Sequence, residues 1–243
     1  MHRFLVSADE LSAERPRLPS AAERHLKVLR LQPRETVELF DGRGRTRRFS
    51  WTGDGLSPAG EIAVFPPPAA RISLFACVTK GSRWDWTVEK AVELGVNRIV
   101  PVVSARAIVR IPQKERPAKA ERWRRIAEDA ARQSDAVWLP DVLEAVDFPE
   151  ALAIARKSGR VFAGALVSPP PPPILTALAS TPRAKGKEDY SVFIGPEGDF
   201  TPGELAALLE FATPVSLGPT VLRAETAAIF AASVLAAYAA QPL

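Results

Sequence analysis

Cysteine and histidine are almost missing from this chain, which has Cys77 alone and only His2 and His25 among 243 residues. A lone cysteine excludes an intrachain disulfide, and so few imidazoles and thiols cannot assemble a zinc site from Cys and His. No apolar run approaches the roughly 20 residues that a membrane-spanning helix needs. The N-terminal stretch meets Asp9 too soon to read as a signal peptide, so a reducing cytoplasm is the expected setting. Also missing are the Walker motif and Gly-x-Ser-x-Gly, and Gly42-Arg43-Gly44 lacks the third glycine of a dinucleotide fingerprint. Both histidines lie far in sequence from the glycine turns described below, which argues against a Ser-His-Asp hydrolase.

What is present is a chain with 47% hydrophobic residues, ample for a packed core, and a net charge of +4. That mild basic bias permits a nucleic-acid partner without demanding one. Its 23 prolines cluster at Pro66-Pro67-Pro68 and at Pro169 to Pro173, which read as spacers between folded pieces. The first cluster divides a mostly β module, residues 1–68, from a domain of alternating strands and helices, residues 69–243.

In the first part, Arg3 to Val6, Thr36 to Phe40 and Arg45 to Trp51 carry strand patterns, with Glu61 to Phe65 a further candidate. Ser20 to Leu31 reads as a helix, and Asp41-Gly42 is a hairpin turn. Arg43, Arg45, Arg47 and Arg48 follow that turn closely. They suit a phosphate-contact surface, or a hairpin edge whose charges discourage pairing with another strand.

In the second part, strands are expected at Ile72–Val78, Arg98–Val103 and Arg160–Val167. Helices are expected from Ser82 to Leu94, with Ser82 and Asp85 as a capping box, and over Glu121–Ser134, Asp147–Ser158 and Ile174–Ser180. A charged loop is expected from Arg183 to Asp189. Then comes Ser191-Val192-Phe193-Ile194, a buried strand broken by Gly195-Pro196-Glu197-Gly198. A helix start follows: Thr201 as N-cap, Pro202 at the first helical position and Glu204 closing a capping box. The device recurs at Pro214 to Leu217, broken by Gly218-Pro219 and leading into a long apolar helix from Glu225 to Ala239. Alternating strands and helices predict a mostly parallel α/β sheet, whose ligands bind at the carboxyl ends of strands. Two such turns in tandem suggest one shared site, although as local grammar they are also ordinary turns. A helix apolar on all sides needs cover, from its own core or from a second copy of the chain.

Several motifs in fixed order carry a resemblance. They are Met1-His2-Arg3-Phe4, His25 with Val28-Leu29-Arg30-Leu31, Leu39-Phe40-Asp41-Gly42 and Lys90 to Val96. Arg122-Trp123, Ala130 to Ser134, Ile194 to Gly198 and Leu217 to Ala227 complete the set. In these the chain resembles the RsmE family of SPOUT-class methyltransferases, which methylate N3 of a uridine in 16S ribosomal RNA. The resemblance implies a small PUA-like β-barrel for RNA, a trefoil-knotted α/β domain, a homodimer, and S-adenosylmethionine held in the knot with no metal. It places the cofactor against Leu166, Val167, Ile194, Gly195, Glu197, Gly198, Leu217, Gly218 and Leu222. It makes Arg223 the catalytic candidate, with Glu225 orienting it or contacting the adenosine side. Arg3, His25, Arg30, Arg43, Arg45, Lys80 and Arg83 are the implied RNA contacts.

Four positions depart from the family pattern. Asp199 and Arg34 stand where a glycine is usual, and Asp135-Ala136 replaces a Gly-Arg-like pair. Two other functions stay open. One is a ribose 2′-O-methyltransferase of the same superfamily, against which Leu222-Arg223-Ala224-Glu225-Thr226 argues. The other is a non-catalytic RNA-binding assembly protein, which would not need two cofactor-type turns.

Overall fold

The computed structural model describes residues 1–180 and 188–241. Most of the charged loop expected from Arg183 to Asp189 therefore lies outside the described residues. The chain forms two compact units. One is Met1–Pro67 together with Glu128–Leu139; the other is Pro68–Ala127 together with Pro140–Leu243.

The first unit contains β1 (His2–Leu5), α1 (Ala8–Ser12), α2 (Ser20–Val28), β2 (Thr36–Phe40), β3 (Arg45–Trp51), β4 (Leu56–Pro58) and β5 (Ala63–Val64). β1 pairs parallel with β2, and β3 pairs antiparallel with β2, β4 and β5. Its core gathers Phe4, Leu11, Leu26, Val37, Leu39 and Phe49. Each such side chain stabilises the fold by about 1.5–3 kcal/mol through removal from water. The hairpin between β2 and β3 is held by Asp41, which accepts from the N–H groups of Arg43 and Arg45 at 2.8 and 3.1 Å and from Arg45 Nε at 2.7 Å. The segment 128–139 packs on it tightly. A Cβ added at Gly44 would stand 2.4 Å from the Trp138 ring and 2.7 Å from the Phe65 carbonyl, so only glycine fits there.

The second unit contains β6 (Ile72–Cys77), α3 (Ser82–Glu93), β7 (Arg98–Val103), α4 (Arg116–Gln133, whose last turns belong to the first unit), β8 (Asp141–Val142), β9 (Val146–Asp147) and α5 (Phe148–Ala155). It continues with β10 (Arg160–Gly164), α6 (Ile174–Ala179), β11 (Tyr190–Ile194), α7 (Pro202–Leu209), β12 (Thr213–Val215) and α8 (Ala224–Ala239). Its seven-stranded sheet runs in the order β12-β10-β11-β6-β7-β8, with β9 also on β7, and every pairing is parallel. β6 and β11 are buried along their whole length, which explains sequences that are apolar but for Ser73 and Ser191. Phe75 and Phe193 stack at 4.5 Å in this core beside Phe148 and Phe200. Cys77 is buried here, and burial pushes its thiol up to about 12.

Three expectations change. α3 starts without the capping box: Gly81 is its N-cap, and Asp85 binds Arg122 instead. α4 begins at Arg116 and not at Glu121. β10 ends at Gly164, so Ala165, Leu166 and Val167 lie beyond the strand.

Candidate functional site

Because Gly164 is in register with both Ile194 and Val215, β10, β11 and β12 end level at one carboxyl edge of the sheet. The loops that follow them, residues 165–173, 195–201 and 216–223, enclose a cavity of about 640 Å³. That is the size of a small-molecule or cofactor site. Gly164 forms part of its floor, where a Cβ would lie 3.0 Å from Leu217 and 3.1 Å from Ile194.

Each loop is fixed by local chemistry. The second is closed by the Thr201–Glu204 capping box, as the sequence predicts, and by the N–H of Asp199 donating to the Pro196 carbonyl at 2.9 Å. The first passes a cis Ser168–Pro169 bond and meets the third through backbone bonds. The N–H of Ser216 donates to the Pro172 carbonyl at 2.9 Å, and that of Ile174 donates to the Ser216 carbonyl at 3.1 Å. The third ends at Arg223, the N-cap of α8, whose first turn has no side-chain cap and so presents free N–H groups.

The expected cofactor residues converge. Leu166 and Val167 line the cavity from the first loop, Ile194, Gly195 and Glu197 from the second, and Leu217, Gly218 and Leu222 from the third. Arg223 lines it as well and is exposed. Gly198 does not; its carbonyl accepts instead from Arg106 Nη1 at 3.0 Å. Glu225 is also absent from the wall. It is buried in the first turn of α8, and its ionic neighbour is Arg83 (3.9 Å), not Arg223. Its Oε2 is buried without a hydrogen-bond partner. Arg83 also reaches Glu197 at 3.7 Å, so it stands between two carboxylates. At those lengths and with Arg83 about half exposed, the pairs contribute little to stability, roughly 0–1 kcal/mol. Lys80 is exposed in the loop just before.

Sequence reasoning misses Pro170, Pro171 and Ser216, which also line the cavity. The proline run reads as a spacer. The available signal is its place directly after a strand end that is parallel to the other two. Asp199 lines the cavity too, and its carboxylate reaches the first loop.

The remaining expected RNA contacts lie in the first unit. His25, Arg30 and Arg43 are exposed. Arg45 is half-buried against Asp41. Arg47, from the same cluster, donates to the Gly60 carbonyl at 3.0 Å and to the Ser12 carbonyl at 3.3 Å, so the four arginines do not act as one surface. Arg3 must be reassigned. It is 6% exposed, bonds Glu38 at 2.7 Å and the carbonyls of Ala131 and Ala136, and lies over the Phe40 ring. It ties residues 128–139 to β1 and offers nothing to a phosphate.

Comparison with known proteins gives the family. A family model described as an RNA methyltransferase domain matches residues 66–236. Ribosomal RNA small subunit methyltransferase E of Mycobacterium bovis is 31% identical over 214 residues, covering 84% of this chain and 79% of that protein. The chain belongs to the RsmE family. The Bacillus subtilis family member of the same name is 31% identical over 168 residues, a match spanning 68% of this chain and 65% of that protein. The crystal structure of the Neisseria gonorrhoeae member, bound to S-adenosyl methionine, superposes with a TM-score of 0.83 at 27% identity and covers 98% of both chains.

Proposed function

We propose that the chain methylates N3 of a uridine in 16S ribosomal RNA, using S-adenosylmethionine as methyl donor. The observation that carries this is the cavity walled by three strand-end loops with Arg223 on its rim, in a chain whose Neisseria relative binds that donor.

The residues present fit the donor. Leu166, Val167, Ile194, Leu217 and Leu222 give apolar walls for a flat adenine, and backbone groups of the glycine turns give polar contacts beside them. Glu197 places a carboxylate on a wall that would face a sulfonium. When bound, the donor supplies an activated methyl group for a direct displacement. The protein then has to align N3 with that methyl and stabilise the uracil anion as its proton leaves. Arg223 suits the stabilising role, because its guanidinium is always charged and sits at an uncapped helix N-terminus, where the dipole also favours an anion. Arg83 stands beside this wall, between Glu197 and Glu225.

The finer architecture belongs to the same reading. Residues 1–68 serve as a PUA-like RNA module, with His25, Arg30 and Arg43 toward the substrate, and 69–243 as the SPOUT domain. A trefoil knot is supported by the path after β12. It lies beside the loop after β10 at the Pro173–Ser216 bridge, then enters α8, which packs on β6, β11 and α3. A homodimer through α8 is supported by Phe230, 42% exposed on a mostly apolar helix.

Replacing Arg223 by alanine tests the assignment. Methyl transfer to small-subunit RNA should fall by about 10²–10³, with donor affinity by calorimetry retained. Normal turnover would remove Arg223 from the chemistry, and a methylated nucleotide other than uridine, mapped by mass spectrometry, would overturn the substrate.

A further inference from the structure

We propose that Asp199 is a positioning residue that clasps the loop after β10 to the turn after β11 and thereby sets the methyl-donor pocket; this rests on the donor reading above. Asp199 has φ +55, a left-handed conformation that glycine, asparagine and aspartate tolerate best. Its two carboxylate oxygens are divided. Oδ1 accepts from the N–H of Phe200 at 2.7 Å, which fixes the side chain on its own turn. Oδ2 accepts from the N–H of Leu166 at 3.3 Å, thirty-three residues away in the loop after β10.

The two ends of this bond are unequal. The turn is already rigid, because Arg106 Nη1 donates to the carbonyls of Gly198 and Phe200 at 3.0 and 3.4 Å, one on each side of Asp199. Glu204 adds to this by accepting from the N–H of Ala105 at 2.8 Å. The Leu166 end has less to hold it. The Leu166 side chain is 68% exposed, so apolar burial does not anchor it. The far end of the loop is fastened at Pro172 and Ile174 by Ser216. Asp199 thus carries the near end of a loop whose residues Leu166 and Val167 line the cavity. A charge-assisted bond from an immobile turn is well suited to that.

The requirement is for two acceptor oxygens on a short stem. Asparagine keeps the backbone conformation but has one acceptor oxygen, and its amide nitrogen cannot receive an N–H. Glycine relaxes the backbone and removes both acceptors. The clasp therefore predicts loss in both Asp199→Asn and Asp199→Gly, whereas a purely conformational role predicts that glycine is as good or better.

Two measurements on the full-length chain decide it. Hydrogen exchange in the ligand-free protein reads the Leu166 amide directly, and its protection should drop about tenfold in both variants. Calorimetry with S-adenosylmethionine should show Kd raised about tenfold, while kcat at saturating donor stays within about twofold, a split that general destabilisation would not produce. Unchanged Leu166 exchange, or unchanged donor affinity in a variant whose Leu166 is unprotected, would overturn the proposal. If the wild-type chain itself does not bind the donor, the donor reading fails and takes the pocket role with it. Wild-type binding with variants that bind equally well sinks the clasp alone.

Discussion

Asp41 shows how one side chain can make a hairpin depend on acid. Burial raises the pKa of its carboxyl, but the Arg45 guanidinium and the N–H groups of Arg43 and Arg45 outweigh that and leave it below the usual value of 3.8. A carboxyl lowered on folding stabilises above its unfolded pKa, and that contribution is lost as pH falls through the folded one. Urea denaturation of wild type and Asp41→Asn should therefore differ at neutral pH and converge below about pH 4. A second group of residues shares a backbone feature. Arg34, Asp135 and Asp199 have φ of 76°, 56° and 55°, and all three stand where the family resemblance implies glycine. The conformational requirement of those turns is thus legible in the sequence, though which side chain fills it is not. Arg34 makes its turn bond, N–H to the Trp51 carbonyl, through backbone alone. Arg34→Gly should accordingly raise stability by up to about 1 kcal/mol, read from the urea midpoint.

Elements whose signals are local are the ones the sequence reveals. The capping box of α7 is such a case: Thr201 Oγ1 accepts from Glu204 N–H at 3.2 Å, and Glu204 Oε2 accepts from Thr201 N–H at 2.9 Å. Thr201→Ala should cost about 1 kcal/mol by thermal melting, and should weaken donor binding because the same cap closes the cavity turn. Ser82 and Asp85 have the same spacing but form no box, since Gly81 is the N-cap and Ser82 already lies in the first turn. Spacing alone does not reveal that one-residue offset. Ala165, Leu166 and Val167 extend the expected strand because they are apolar, yet all three line the cavity. β8 and β9, two residues each, are too short for any period to mark.

At the scale of the whole chain, the parallel sheet follows from alternating elements, but the make-up of the first unit does not. Trp138 donates to the Pro66 carbonyl at 3.1 Å and packs where Gly44 leaves room, and neither contact has a trace in the sequence around residue 138. The convergence of three loops is legible in local pattern for two of them, because Gly-Pro follows both strands; in residues 165–173 the run Pro169 to Pro173 reads as a spacer instead. α8 buries Ala224, Ala228, Ala231, Ala232 and Leu235 within its own unit and leaves Phe230 outward. If that outward face joins two copies, sedimentation velocity should find a dimer for wild type and a monomer for Phe230→Asp.

The buried thiol of Cys77 has a practical consequence. With its ionisation pushed to about 12, it stays protonated and inert toward alkylating reagents in the folded protein, and it is the chain's sole cysteine. The wild-type molecule is thus a ready background for site-specific labelling. One cysteine introduced at an exposed position of the 165–173 loop would accept a fluorophore or spin label alone, and its signal would read whether that loop shifts when a ligand is added.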